Sequence, residues 1–470
     1  TKRKPDIILL KKGDKPAWPV VCAVGEVTAE AGFPSRIRNT IQQKSFLTFA
    51  TQPARRFTVS LAFSKDCFQF VTCDRAGVVT STRVNIDDGA LNLLQIVAGL
   101  MFGSDELIGY DKSMHRGPDG SIKSITVGKE AEYTVIEPIF SSETVRGRAT
   151  RCWRVRRDGK QYVLKDSWCH RNWKSEAIIL EKLVDMEGVP HLINSDDVMA
   201  HGQIDSTAVH RVGLSYKEER VHRRLVVKPV ATPLYTFESK KELIQAFVDI
   251  VKTHKALCEQ RHILHRDISL NNLMLYEHSP EDSTRRGLLI DFDYSTEIGG
   301  PNGPSDNHRT GTGPFMAIEV LRHADSQAII QKPNHDLESI FYVLLCFCLR
   351  YNGPHGQRAN LGPMPVDKFY LANESYDSLA TWKTGVLFEY EDQVLRHIPP
   401  YFADLKECLR QLFDRIFCPR QGAGPNGDVV VLRAFHKNDA THDAMLEVLE
   451  NTLAQLPDVD TVPPRTSAGK

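Results

Sequence analysis

Leu264-His265-Arg266-Asp267-Ile268-Ser269-Leu270-Asn271-Asn272-Leu273 is followed, after a polar stretch, by Leu289-Ile290-Asp291-Phe292-Asp293-Tyr294-Ser295. The first segment sets a carboxylate, Asp267, five residues ahead of a carboxamide, Asn272, and the second adds a carboxylate at Asp291. Phosphoryl transfer needs a group that orients an acceptor hydroxyl and takes its proton, and oxygen ligands for a Mg²⁺ that neutralises phosphate charge. These three residues supply both. A lone His-Arg-Asp triplet is usually a chance surface feature, so the decision rests on what surrounds it.

Upstream, Val163-Leu164-Lys165 ends a predicted strand, and the following helical stretch carries Glu176-Ala177-Ile178-Ile179-Leu180. Apolar residues behind a glutamate anchor it inward, so Glu176 is expected to pair with Lys165, with Glu181 as the rival partner. Downstream, Gly311-Thr312-Gly313-Pro314-Phe315-Met316-Ala317-Ile318-Glu319 reads as a Gly/Pro loop entering a helix. His335-Asp336-Leu337-Glu338-Ser339 then opens an apolar run over residues 340–349. That run is about half the roughly twenty residues a membrane span needs, so it reads as a buried helix.

These segments resemble the fungal-type protein kinase family, through L-H-R-D-I-S-L-N-N-L, L-I-D-F-D-Y-S, G-T-G-P-F-M-A-I-E and H-D-L-E-S. The resemblance covers residues 133–456, with weaker signatures upstream in Val24-Gly25-Glu26-Val27 and Asp74-Arg75-Ala76-Gly77-Val78-Val79. It implies an α+β, two-lobed protein kinase-like fold preceded by a smaller α/β N-terminal domain, with ATP and Mg²⁺ as cofactors. By the same resemblance Lys165 holds phosphates and is steadied by Glu176, while Gly147 belongs to the loop over the nucleotide. Asp267 receives the acceptor hydroxyl, and Asn272 and Asp291 hold the metal. Thr312 sits in the substrate loop, seven residues before Glu319, where serine/threonine kinases carry a threonine. Its hydroxyl is expected to hydrogen-bond the Asp267 carboxylate. His265, Arg266, Glu319 and Asp336 take structural roles, with Asp336 tying down the backbone of the catalytic loop.

Three positions depart from the pattern. Residues 139–153 hold only Gly147, with Ala149 where another glycine would stand, which weakens the backbone cradle for phosphates. Asp293 replaces a glycine, and Ser269 stands where many kinases place a phosphate-contacting lysine. Two alternatives therefore accompany the protein kinase reading: a small-molecule phosphotransferase of the aminoglycoside and choline kinase kind, and a pseudokinase that binds without turnover. A nuclease reading of Asp6 and Glu26 fails at Thr28, where that class needs lysine.

With 59 Lys+Arg against 59 Asp+Glu, the 470-residue chain has no bulk field favouring nucleic acid or an anionic membrane, and a protein substrate is the expected partner. Ten scattered cysteines suit a reducing compartment, cytoplasmic or nuclear, rather than a disulfide framework. Cys346 and Cys348, inside the apolar run, read as core. The length suits two or three domains. Expected boundaries are an α/β domain over 1–125, a β-rich lobe over 130–235, an α-rich lobe over 236–456 and a frayed tail over 457–470. The break falls at Arg116-Gly117-Pro118-Asp119-Gly120, whose glycines and proline interrupt regular structure. Leu243, Phe247, Val251 and Leu257 mark one face of a long helix in the second lobe, and residues 91–102 carry helical spacing in the first domain.

Overall fold

The computed structural model describes the chain except residues 1–3, 12, 31, 34, 143, 217, 278–284, 300–309, 323–329, 358–363, 365–366, 368, 370–374, 418, 424–428, 434–439, 459 and 461–470. It divides into two compact units, residues 1–173 with 192–228, and residues 174–191 with 229–470.

The first unit holds two sheets. In one, the strands run in the order Ile7–Leu9, Ala23–Thr28, Thr58–Ser64, Cys67–Asp74, Gly77–Thr80. Ala23–Thr28 and Thr58–Ser64 are parallel, which demands a crossover, and the helix Ser35–Thr51 supplies it. Its Ile37 and Ile41 pack on Ala62 and Val71 of the sheet. The helix Ala90–Phe102 forms where the spacing placed it, yet only Leu100 is buried, and Leu91, Leu94, Met101 and Phe102 face solvent.

The other sheet has seven strands, in the order His191–Asp197, Arg220–Lys228, Lys160–His170, Arg151–Arg157, Ala131–Ser141, Ile122–Val127, Met114–Arg116. Residues 116–120, read from sequence as a break between domains, form the hairpin turn between its last two strands, where Gly120 N–H donates to the Gly117 carbonyl at 3.0 Å. The breakers serve a tight turn there rather than a linker. A hydrophobic core joins the two sheets: Val59 and Leu61 from the leading sheet, with Phe57 just ahead of that strand, pack with Tyr133, Trp153, Val155, Leu164 and Val226 from the seven-stranded one.

In the second unit the helix Lys240–Gln260 starts at Ser239, whose Oγ accepts from Glu242 N–H at 3.1 Å, and buries Leu243, Phe247, Val251 and Leu257. The helix Pro333–Arg350 is buried from His335 through Leu349, Cys346 and Cys348 included. Each Leu, Ile or Phe so covered is worth roughly 1.5–3 kcal/mol, which makes this helix the hydrophobic centre of the unit. The helices Tyr376–Phe388, Lys406–Ile416 and His442–Gln455 complete it. Short antiparallel strands present the loops of interest: Leu273–Tyr276 pairs with Gly287–Leu289, and Ile263–Leu264 with Thr296–Glu297. The expected tail lies outside the described residues from 461 onward, while Asp460 accepts from Lys240 N–H at 3.0 Å.

Candidate active site

The two strand pairs of the second unit bracket residues 265–272 and 290–295, and backbone bonds tie these loops together: Ile290 N–H donates to the Asn272 carbonyl at 2.9 Å. His265 is wholly buried. Its Nε2 meets the Ile290 carbonyl at 3.0 Å, its Nδ1 lies 3.3 Å from Asp267 N–H, and its ring stands edge-on to Phe292 with centroids 5.0 Å apart. Burial lowers its pKa below the usual histidine range, which suits a neutral ring donating through Nε2 and accepting at Nδ1.

Asp267, Asn272 and Thr312 converge. Thr312 Oγ1 donates to Asp267 Oδ1 at 2.8 Å, and Asn272 Nδ2 donates to the Asp267 carbonyl at 2.8 Å and to its Oδ2 at 3.3 Å. Both carboxylate oxygens are thus oriented by neutral donors, and the Asn272 amide is turned so that its Oδ1 remains as an acceptor. Gly311 makes the approach of Thr312 possible: at φ +122°, with a Cβ that would lie 3.1 Å from the Arg266 carbonyl, no other residue fits easily.

Arg266 and Asp291 both adopt left-handed backbone, at φ +69° and +66°. Such conformations persist for non-glycine residues only where the surroundings over-determine them. For Arg266 the restraint is Asp336, whose Oδ2 accepts from the N–H groups of His265 and Arg266 at 3.1 and 3.0 Å. The Arg266 guanidinium donates to Gln331 Oε1, and Gln331 Nε2 donates to the Thr310 carbonyl at 3.2 Å. Beside Asp291, the Phe292 N–H donates to Glu176 Oε1 at 2.9 Å. Glu176 opens the helix Glu176–Glu181 and is buried, whereas Glu181 is exposed. Carboxylate oxygens of Glu176, Asp291 and Asp293 come within 4.8 Å of one another, a donor set of the hard kind that Mg²⁺ takes.

Lys165 belongs to the first unit. It lies on Lys160–His170, opposite Cys152 and Leu225 on the flanking strands, and is 8% exposed. Gly147 is in the same unit, in the connection between Ala131–Ser141 and Arg151–Arg157, but its N–H donates to the Arg75 carbonyl at 3.0 Å. Glu319 pairs with His335 Nε2 at 3.0 Å, fixing the start of the helix Pro333–Arg350.

Sequence reasoning missed three residues. Gln331 lies just past an undescribed stretch and carries no motif. His254, on the helix Lys240–Gln260, places Nε2 3.0 Å from Asp336 Oδ2 and Nδ1 2.8 Å from His442 Nε2. Burial works against a charge on His254, but Cys258 and the Asp336 carboxylate beside it outweigh that and raise it to about 10. Burial and the adjacent His254 hold His442 neutral, down to about 4. An imidazolium donating both ways fits these directions.

Among solved structures, the chain is similar to a kinase of the Cydia pomonella granulovirus, PK-1, at 12% identity over 67% of this chain and 92% of that one, with a TM-score of 0.39. A search of curated proteins finds no match. The family model for fungal protein kinases matches residues 4–348, taking in the leading sheet, residues 265–295 and nearly all of the helix Pro333–Arg350. With nearly three quarters of its length matched, the chain belongs to the fungal protein kinase family.

Proposed function

We propose that this kinase transfers the γ-phosphoryl group of ATP to a serine or threonine hydroxyl of a protein. The observation that carries the reading is the Thr312–Asp267–Asn272 constellation, with its 2.8 Å bond between the Thr312 hydroxyl and the Asp267 carboxylate. A carboxylate held by a hydroxyl and an amide donor is aimed, ready to accept the proton of an incoming hydroxyl. MgATP, when bound, supplies the transferred group and the counter-charge for it. Asn272 Oδ1 and the Asp291 carboxylate would hold the metal, and Lys165 would hold phosphate, with Glu176 as its proposed partner. Glu176 also accepts the Phe292 N–H, which ties the position of that partner to the loop that carries Asp291.

A threonine on one side of Asp267 restricts the space through which an acceptor reaches it, which favours a short side chain over tyrosine. Phosphoamino-acid analysis of labelled peptides should yield phosphoserine or phosphothreonine, and phosphotyrosine as the main product would remove the proposal. A nucleotide titration with Asp291→Ala should lose its dependence on Mg²⁺, whereas Asp267→Asn should bind as the wild type does. Tight, metal-dependent binding with no transfer to any peptide would favour the pseudokinase reading, which the engaged N–H of Gly147 and the missing lysine at Ser269 already support in part.

A further inference from the structure

The first unit contains a network of buried ions unrelated to the residues above. Four carboxylates, Asp74, Asp111, Asp166 and Asp205, each have a cationic partner. Arg211 NH2 meets Asp74 at 2.7 Å, Arg56 NH1 meets Asp205 at 3.0 Å, and Arg224 binds Asp111 and, at 2.6 Å through Nε, Asp166. His222 bridges Asp166 and Asp205 at 2.8 and 3.0 Å. Burial opposes its charge, but the two carboxylates outweigh burial and raise it to about 9, so the imidazole is protonated at neutral pH. Four negative charges therefore meet four positive ones.

Arg75 and Arg151 are left over. They are 3% and 5% exposed, and among the described residues no carboxylate pairs with either. Arg151 donates to the Phe49 carbonyl, while Arg75 lies 3.8 Å over the Phe49 ring and reaches the Thr144 and Val145 carbonyls only at 3.4 Å. Among the described residues Arg75 Nε has no hydrogen-bond partner. Arg55 is a third buried arginine, served by the Val21 and Cys22 carbonyls, and among the described residues it has no carboxylate partner and its NH1 no hydrogen-bond partner. Burial first and Arg151 second pull Arg75 down to about 9, still charged at neutral pH. Uncompensated buried cations are strongly destabilising unless something neutralises them.

All three arginines line one small cavity, together with Arg56, Asp111, Asp166 and His222, so five cationic side chains face two carboxylates there. Its free space admits roughly one water-sized particle. A tetrahedral oxyanion is too large to enter without displacing these side chains, whereas a single halide ion is close to water in size and accepts N–H donors from several directions. We infer that the cavity is a binding site for a monoatomic anion, chloride under ordinary conditions, set between the leading sheet and the strands Arg151–Arg157 and Lys160–His170. The site abuts the loop that carries Gly147: Ala149 lines the cavity, and the backbone of Arg75 holds the Gly147 N–H. Occupancy would therefore brace residues 147–149, and any consequence for nucleotide rests on the function proposed above. Binding itself does not.

The test is the thermal midpoint of the full chain without nucleotide, at fixed pH and ionic strength, as potassium gluconate is exchanged for potassium chloride or bromide. The expected result is a saturable rise of several degrees with either halide, absent in Arg75→Met. Should that variant fail to fold, crystals of the wild type grown in bromide give a second reading, with an anomalous peak expected within hydrogen-bond distance of Arg75 Nε. A wild-type midpoint that is the same in gluconate and in halide overturns the site, and so does a rise produced by phosphate or sulfate but not by chloride.

Discussion

Asp267 receives a hydroxyl donor on one carboxylate oxygen and an amide donor on the other, so the carboxylate is aimed by two hydrogen bonds. Replacing it with asparagine keeps the shape and removes the proposed base, and turnover should fall on the order of a hundredfold or more while nucleotide binding is spared. Thr312→Val deletes one charge-assisted hydrogen bond, and a loss of roughly tenfold in turnover is expected from the usual worth of such a bond. An unchanged rate in that variant would mean the contact is only structural. Glu176 and Glu181 give a sharper comparison, because the first is buried against the Phe292 N–H and the second is exposed. Glu176→Gln should depress activity well below Glu181→Gln, and the reverse order would assign the lysine partner to Glu181. At this scale the sequence was highly legible. The Thr312–Asp267 bond was anticipated from the resemblance to serine/threonine kinases, which place a threonine seven residues before the position of Glu319.

Elements were legible where periodicity is strong and opaque where distant partners decide. The long helix Lys240–Gln260 and the buried helix Pro333–Arg350 follow from their apolar spacing. The glycines and proline of residues 116–120 signal a break in regular structure, but a hairpin turn and a linker need the same residues. Only the pairing of Met114–Arg116 with Ile122–Val127 tells them apart. His254 was invisible for a related reason: a single histidine on a helix reads as core, and its partners Asp336 and His442 are 82 and 188 residues away. These contacts link three helices to the backbone of His265 and Arg266 through one carboxylate. His254→Ala would leave Asp336 buried with one donor fewer and His442 without its neighbour, a loss of roughly 3 to 5 kcal/mol in stability. Because the proposed catalytic loop hangs on Asp336, kcat should change more than KM in whatever fraction stays folded. Equal effects on both would argue that His254 matters only for folding.

For the molecule as a whole, the unexpected feature is that the leading sheet and the seven-stranded sheet share one core and one ion network, although the sequence suggested separate domains. Composition cannot reveal this, because the charges that join them are scattered from Arg56 to Arg224. The network has a pH signature. His222, stacked on Trp168 and facing Asp166, Asp205 and Arg224, is raised to about 9 from an ordinary 6.5, so the folded chain holds a proton that the unfolded chain releases first. Its stabilisation is complete below pH 6.5 and is lost as pH rises through 9. The thermal midpoint of the wild type should therefore fall more steeply over that window than that of His222→Gln, and parallel curves would contradict the charge assignment. No helix among the described residues is long and apolar enough to cross a membrane. Substrates can be sought with peptide arrays. The most direct measurement is transfer of label from γ-labelled ATP to such an array by the wild type and by Asp267→Asn, at a Mg²⁺ concentration where both bind nucleotide. Labelled serine or threonine from the wild type, with at least a hundredfold less from the variant, is the predicted result. Equal labelling by the two proteins would contradict the assignment of Asp267 as the group that receives the acceptor proton.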